Sequence, residues 1–403
     1  MKVGVFLGGQ MPTGGGGFTF RNDILQALAR VESKHTFVIL DSFTVNQSSV
    51  PTSERLTYVS SRRGFLRWAR AKLTNTPVKI VLKLPIVQNW LATRYKNWLR
   101  RTLSDLGIEF MWFITPAYVE VDIPYIFTVW DLQHRLQPWF PEVIAEGQWH
   151  ARENQYSTAI PRASAVIIGT ESGKKEIVRF YGVPPEHVRL ISHPTPRFAL
   201  SAPEDSGKQV LAKYRIPRDY LFYPAQFWPH KNHVGLLLAV KILKEQYGLI
   251  MPVVFVGSDM GNLQYIRQMV ARLGLSTQVH FLGFVPREDL VGLYCNAFAL
   301  TYLTFFGPEN LPPLEAFSLG CPVIASNVSG ALEQLGDAAL LVDPKDERQI
   351  ADAIKRLHED ATLRDTLVSR GLARASKWTA DDFVKSVLSL FDEFEPIRRC
   401  WGR

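Results

Sequence analysis

The chain has 403 residues, 46% hydrophobic and 21% charged, with a formal net charge of +8, which excludes a disordered or fibrous chain and implies two or three domains. No run reaches the roughly 18 apolar residues needed to cross a bilayer, and MKVGVFLGG reads as a buried first strand rather than a cleavable signal. Cys295, Cys321 and Cys400 have no metal spacing and read as reduced thiols, so a cytoplasmic protein is expected.

Short apolar strands alternate with helical patterns along the whole chain, the signature of α/β architecture with parallel sheets and crossover helices. The pattern predicts strands over 2–8, 35–40, 108–114, 125–130, 165–169 and 188–191, then over 221–224, 252–257, 279–283, 298–303, 322–325 and 339–342. Both halves read as doubly wound. The Pro- and Ser-rich stretch 192–207 lacks periodicity and marks a connection. This gives a first domain over 1–200 and a second over 201–380. A last helix from Ala380 comes too late for another sheet unit, so residues 381–403 are expected to return to the first domain.

The first strand runs into GGQMPTGGGGF, residues 8–18, whose glycines let backbone amides approach a ligand closely. It does not spell GxGxxG, and no Walker GK[ST] occurs anywhere. Residues 62–104 hold eleven basic side chains and no acid, more than the whole net surplus, with Trp68, Trp90 and Trp98 interleaved. Basic aromatic helices suit an anionic membrane surface, here through residues 62–101, whereas no reader motif supports nucleic acid. FTVWDLQH, residues 127–134, delivers Asp131 and His134 to a strand end, where they serve as hydroxyl partners or as a helix cap. His150, His187 and His193 show no ligand spacing.

FYPAQFWPHKNH, residues 222–233, places Lys231 between a strand and a helix. There an ammonium can neutralise a departing diphosphate, with Gln226, Trp228 and His230 as loop packing or sugar contacts. TFFGPENLPPLE, residues 304–315, follows another strand and opens a helix, with Asn310 as N-cap and Pro312 and Pro313 in the first turn. Such an end attracts phosphate. Glu315, one turn in, would repel phosphate and suits ribose hydroxyls. Phosphate and ribose together imply a nucleotide.

GPENLPPLEAFSLGCPVIAS (307–326) with PAQFWPHKNH (224–233) resembles the bacterial retaining glycosyltransferases of family 4. The likeness continues through IIGTESGKKEIVRFYGV (167–183), VGSDMG (256–261) and GFVPREDLVGLYCNA (283–297). The resemblance implies the GT-B fold, two doubly wound, Rossmann-like domains facing across a cleft. It implies transfer of a hexose from a nucleoside diphosphate sugar to a glycan or lipid-linked acceptor in surface polysaccharide or glycoconjugate assembly, with no metal or other cofactor. Glu315 matches the ribose-binding glutamate and Lys231 the diphosphate-binding lysine. Amides near Asn310 and Leu311 would hold phosphate, Gly283, Phe284 and Val285 would border the base, and Gly15 and Gly16 would close on the diphosphate. Retention follows when the acceptor attacks the face that the diphosphate leaves and a donor phosphate oxygen takes its proton.

Three positions depart from the family pattern. The glutamate eight positions before Glu315 is Gly307, with Glu309 as the nearest acid. The clamp arginine is Gln226, and the histidine before Asp131 is Trp130. Lys231, Asp131, His134 and Glu309 are therefore the catalytic candidates. A nucleotide-sugar epimerase or hydrolase, or a non-catalytic binding protein, are the alternatives on the same architecture.

Overall fold

The computed structural model of the chain describes residues 1–8, 15–41, 51, 53–60, 93, 97, 99–203, 207 and 209–401. Two wholly parallel sheets organise them. The first comprises β1 (Lys2–Phe6), β2 (Thr36–Asp41), β3 (Leu56–Ser60), β4 (Phe110–Phe113), β5 (Tyr125–Thr128), β6 (Ala165–Ile168) and β7 (Val188–Leu190). The second comprises β8 (Tyr220–Pro224), β9 (Val253–Val256), β10 (Val279–Phe281), β11 (Ala297–Tyr302), β12 (Val323–Ser326) and β13 (Ala339–Val342). Central strands such as FMWF of β4 and VVFV of β9 are buried at every position, as expected where helices cover both faces of a parallel sheet.

β3 was not anticipated from the sequence. Among the described residues it is a half-exposed edge strand that pairs only with β2, and it lacks the continuous apolar run that marks its neighbours.

The strand orders are β3-β2-β1-β4-β5-β6-β7 and β10-β9-β8-β11-β12-β13. The winding reverses between β1 and β4 in the first sheet and between β8 and β11 in the second. Loops leaving neighbouring strands there diverge, and a crevice opens beyond the carboxyl ends. β1 leads to the glycine loop, β8 to Lys231, and β11 to the segment before Glu315. The helices that frame this region are α1 (Gly16–Arg30), α2 (Glu171–Tyr181), α3 (His233–Gln246), α4 (Arg287–Cys295) and α5 (Leu311–Ser318).

The last described helix, α6 (Ala380–Arg398), follows the second sheet but packs against α1 and the first. Thr379 and Asp382 start it with a reciprocal capping box. Its apolar stripe, Phe383, Val384, Val387 and Phe391, is buried in the first-sheet core. The Phe391 ring lies 5.6 Å from that of Phe110 and 6.3 Å from that of Trp112. Arg30 meets Asp381 at 2.6 Å along the edge. Removing one such ring leaves a cavity that rigid strands cannot close. Phe391→Ala should destabilise the first domain by about 3 kcal/mol or more. Hydrogen exchange should show lost protection in β1 and β4 and unchanged protection in β9 and β12.

Candidate active site

A cavity of about 620 Å³ lies between the carboxyl ends of the two sheets, a size suited to a small-molecule ligand. Residues Gly15 to Phe20 line it from the first domain, and Lys231 and the segment Phe306 to Pro312 line it from the second.

α1 opens into this cavity without a side-chain cap. The Gly15 carbonyl accepts the amides of Phe18 and Thr19 at 3.1 and 3.3 Å, so the amides of Gly16 and Gly17 face outward at the positive end of the helix dipole. A Cβ on Gly16 would stand 3.4 Å from Leu311 Cδ1. The starts of α1 and α5 therefore meet across the cleft.

α5 offers fewer donors than the sequence implies. The Asn310 amide already donates to Gln334 Oε1 at 2.9 Å, and the Asn310 side chain donates to the Gly307 carbonyl at 2.8 Å instead of capping the helix. Pro312 and Pro313 have no N–H. The expectation that both Asn310 and Leu311 hold phosphate is corrected: Leu311 supplies the remaining amide of that turn.

Glu315 lines the same cavity and is 7% exposed. Its Oε2 accepts the Tyr294 hydroxyl at 2.7 Å. Burial pushes its carboxyl up to about 7, against the pull of the Tyr294 hydrogen bond and of Arg287. Lys231 stands in the turn before α3, which Asn232 caps through Gly235 at 3.1 Å. Lys231 Nζ donates to the Tyr302 hydroxyl at 2.8 Å, at the cavity wall. Gln226 also lines the cavity, and its Oε1 accepts the Trp228 indole N–H at 3.1 Å. Phe284, 62% exposed, and buried Val285 form one rim. Gly283 lies just behind that rim, off the cavity wall, and its carbonyl accepts the Gly257 amide at 2.9 Å.

The catalytic candidates of the first domain fare differently. Asp131 lines the cavity, but its Oδ1 accepts Arg152 Nη2 at 2.7 Å and the Gln133 amide at 2.8 Å. Burial pushes its carboxyl up, yet the Arg152 charge and these hydrogen bonds outweigh that and hold it below the usual range. It is a poor proton acceptor. His134 is fully buried away from the cavity, its Nε2 3.1 Å from Glu153 Oε2. Burial, then the Arg152 charge, keeps its pKa low. The placement of His134 as a substrate contact is therefore corrected.

Glu309 borders the cavity, but its carboxylate turns into the first domain. Oε1 accepts the His193 backbone N–H at 2.7 Å. Gly169 makes room, since a Cβ there would fall 1.5 Å from Glu309 Oε2. Glu309 is thus a crossing between domains and does not stand in for a glutamate at position 307.

Two further side chains escaped sequence reading. Arg287 lines the cavity from the first turn of α4, its guanidinium 5.1 Å above the Phe198 ring. His193 lines the opposite wall, and only its place three residues beyond β7 signals a strand-end position. The domains are also tied at the flanks. Glu142 accepts the His230 backbone N–H at 2.9 Å and pairs with its ring Nδ1. Burial, with Lys231 adjacent, pushes His230 down to about 4. Glu333 accepts the Glu171 and Ser172 amides at 2.6 and 3.0 Å at the start of α2. Of the basic segment 62–101, only residues 93, 97 and 99–101 fall among the described residues, so the membrane surface expected there lies largely outside them. Among the described residues, no helix is long and apolar enough to cross a membrane.

Two facing parallel sheets with a ligand-sized cavity at their switch points define a GT-B protein. Residues 211–374 match the family described as "Glycosyl transferases group 1". The chain is 28% identical over 257 residues to the O-antigen chain mannosyltransferase B of Escherichia coli, covering 62% of this chain and 66% of the relative. It is 28% identical over 204 residues to the O-antigen chain mannosyltransferase RfbU of Salmonella typhimurium, covering 50% and 53%. The matched segment thus spans between half and two thirds of these relatives. The fold of the chain is similar to that of WaaG, a glycosyltransferase involved in lipopolysaccharide biosynthesis, with a TM-score of 0.70, 14% identity and coverage of 96% of this chain and 99% of that one.

The buried Glu315 carboxylate has a stability signature. A carboxyl raised from 4.5 to about 7 favours folding below about pH 4.5 and loses that advantage as pH rises through about 7. Glu315→Gln removes the titration and retains an acceptor for Tyr294. Its melting temperature should exceed that of the wild type by about 2 °C or more at pH 8, and the difference should vanish near pH 4.5, as read by scanning calorimetry.

Proposed function

We propose that the protein is a retaining glycosyltransferase that moves a hexose from a nucleoside diphosphate sugar to a glycan or lipid-linked acceptor in bacterial surface polysaccharide assembly. The observation that carries this reading is the meeting of Lys231, the free end of α1 and the Leu311 amide on one cavity, with Glu315 one turn farther along α5. The group 1 match supports it, and the names of the two relatives favour mannose as the hexose.

In this reading the base lies against Phe284 and Val285, and the ribose hydroxyls donate to Glu315. The diphosphate rests between the amides of Gly16, Gly17 and Leu311, with Lys231 beside it. Negative charge grows on the diphosphate as the bond from the sugar C1 to the phosphate oxygen breaks. Fixed donors already aimed there stabilise that charge without reorganising. The acceptor oxygen bonds to C1 on the face being vacated, and its proton passes to an oxygen of the departing diphosphate. Asp131, engaged by Arg152, is not required as the base. Lys231 and the two helix ends supply the positive potential, so the scheme needs no metal. In this reading the charge of the basic segment 62–101 suits the cytoplasmic face of an anionic membrane and a lipid-linked acceptor there.

Thermal shift with UDP, GDP, ADP and their sugars tests the donor class, since a ligand of the folded form raises its melting temperature. One base series should shift the transition, and its sugar nucleotide should turn over with a glycan or lipid-linked acceptor. Release of sugar without acceptor would instead mark a hydrolase. Lys231→Ala should lower transfer at least about tenfold through loss of one electrostatic donor, and unchanged turnover would remove Lys231 from the leaving-group role. Replacing Arg94, Lys96, Arg100 and Arg101 should reduce sedimentation with anionic vesicles.

A further inference from the structure

With base, ribose and diphosphate placed as above, the wall that remains for the transferred sugar includes Trp130, Asp131, His193 and Glu309. Asp131 is held by Arg152 and by the Gln133 amide. Gly307 takes φ 117°, a left-handed backbone that disfavours any side chain at that position. His193 is placed on this wall to give the sugar a polar contact. Its ring is fixed edge-on against Phe20, 4.7 Å between centroids, and Trp130, 6.2 Å.

Glu309 reaches the same residue twice from the opposite domain. Its Oε1 accepts the His193 backbone N–H at 2.7 Å, and its Oε2 lies 3.3 Å from the ring Nδ1. That second approach is within ion-pair distance but outside hydrogen-bond geometry, and among the described residues Nδ1 is buried with no hydrogen-bond partner. The nitrogen next to the carboxylate is thus the one shut off from solvent, on a residue that nevertheless lines the cavity. A carboxylate beside Nδ1 favours a proton there and leaves the lone pair on Nε2.

We propose that His193 contacts the transferred sugar, its Nε2 accepting a hydrogen bond from a sugar hydroxyl, and that Glu309 is the positioning residue that fixes the ring and its tautomer. This assignment rests on the donor reading of the cavity. It places an imidazole next to Trp130, which stands where the resembled family carries its own histidine, but brings it from the segment after β7. The residue that contacts the sugar is then fixed from the opposite domain, so the contact is set only when the cleft is closed.

His193→Phe keeps an aromatic ring against Phe20 and Trp130 and removes both nitrogens. Calorimetry with UDP and GDP, and steady-state transfer from UDP-glucose and GDP-mannose, separate the two roles of the cavity. The expected result is nucleoside diphosphate affinity within about twofold of wild type, with kcat/KM for the sugar nucleotide lowered at least about tenfold, the scale of one lost hydrogen bond in a desolvated site. Glu309→Gln should show a smaller loss of the same kind, and the losses in the double variant should not add, because the two residues act as one unit. Turnover equal to wild type in His193→Phe overturns the proposal. So does a loss of UDP or GDP affinity in step with turnover, which marks a merely structural role. Wild-type protein that no UDP, GDP or ADP compound stabilises and that turns over none of their sugars overturns the transferase reading and this assignment together.

Discussion

Carboxylates that cross the cleft hold the two domains in their closed arrangement. Glu142 reaches from the first domain to the His230 amide, while Glu309 and Glu333 reach from the second to the amides of His193, Glu171 and Ser172. A carboxylate withdrawn from water, as those of Glu142 and Glu309 are while Glu333 stays exposed, costs several kcal/mol unless hydrogen bonds replace that water. Each of these finds backbone N–H groups that the other domain presents at a loop or helix start. Opening the cleft would expose both sides to solvent, which compensates the loss. Such crossings suit a closure that must reverse, unlike a continuous apolar seam.

The same constraint redistributes roles among the acidic residues. Glu309 cannot both accept the His193 amide and project a free carboxylate into the cavity, so its nearness to position 307 in sequence is misleading. Asp131 reaches the cavity, yet Arg152 neutralises it from behind. Among these acids, Glu315 meets the cavity with only a phenol as its hydrogen-bond partner. Its raised pKa and the low pKa of Asp131 follow from that contrast: one carboxylate is desolvated beside a neutral donor, and the other is desolvated beside a guanidinium.

What the sequence disclosed follows from how local each cause is. The buried parallel strands announce themselves as continuous apolar runs, and Lys231 and Glu315 sit at fixed offsets from strand ends and helix starts. The half-exposed edge strand β3 has no such run. His134 was misjudged as a cavity residue, and Asp131 is neutralised there, because their partners, Glu153 and Arg152, lie 19 and 21 residues downstream on another helix. The Asn310 amide is consumed by Gln334, 24 residues away. His193 carried no spacing signal at all, because its partner Glu309 is 116 residues distant and in the other domain. Short-range grammar exposes strands, caps and turns, whereas the pairing that decides whether a polar group is free depends on tertiary contacts.

One turn of α5 joins two opposite demands. Leu311 presents a free amide at the positive end of the helix dipole, and Glu315, four residues on, presents a buried carboxylate with one donor. Four residues of α-helix rise about 6 Å. A ligand that satisfies both groups must carry an anion and hydroxyl donors about that far apart, with the anion toward Lys231 and the starts of α1 and α5. A ribose bearing a diphosphate has that spacing, whereas a free phosphate leaves Glu315 unsatisfied and a free sugar leaves the amides unsatisfied. Each half of the ligand relieves a desolvated group that the cavity wall itself leaves short of partners, so the site selects the two halves joined.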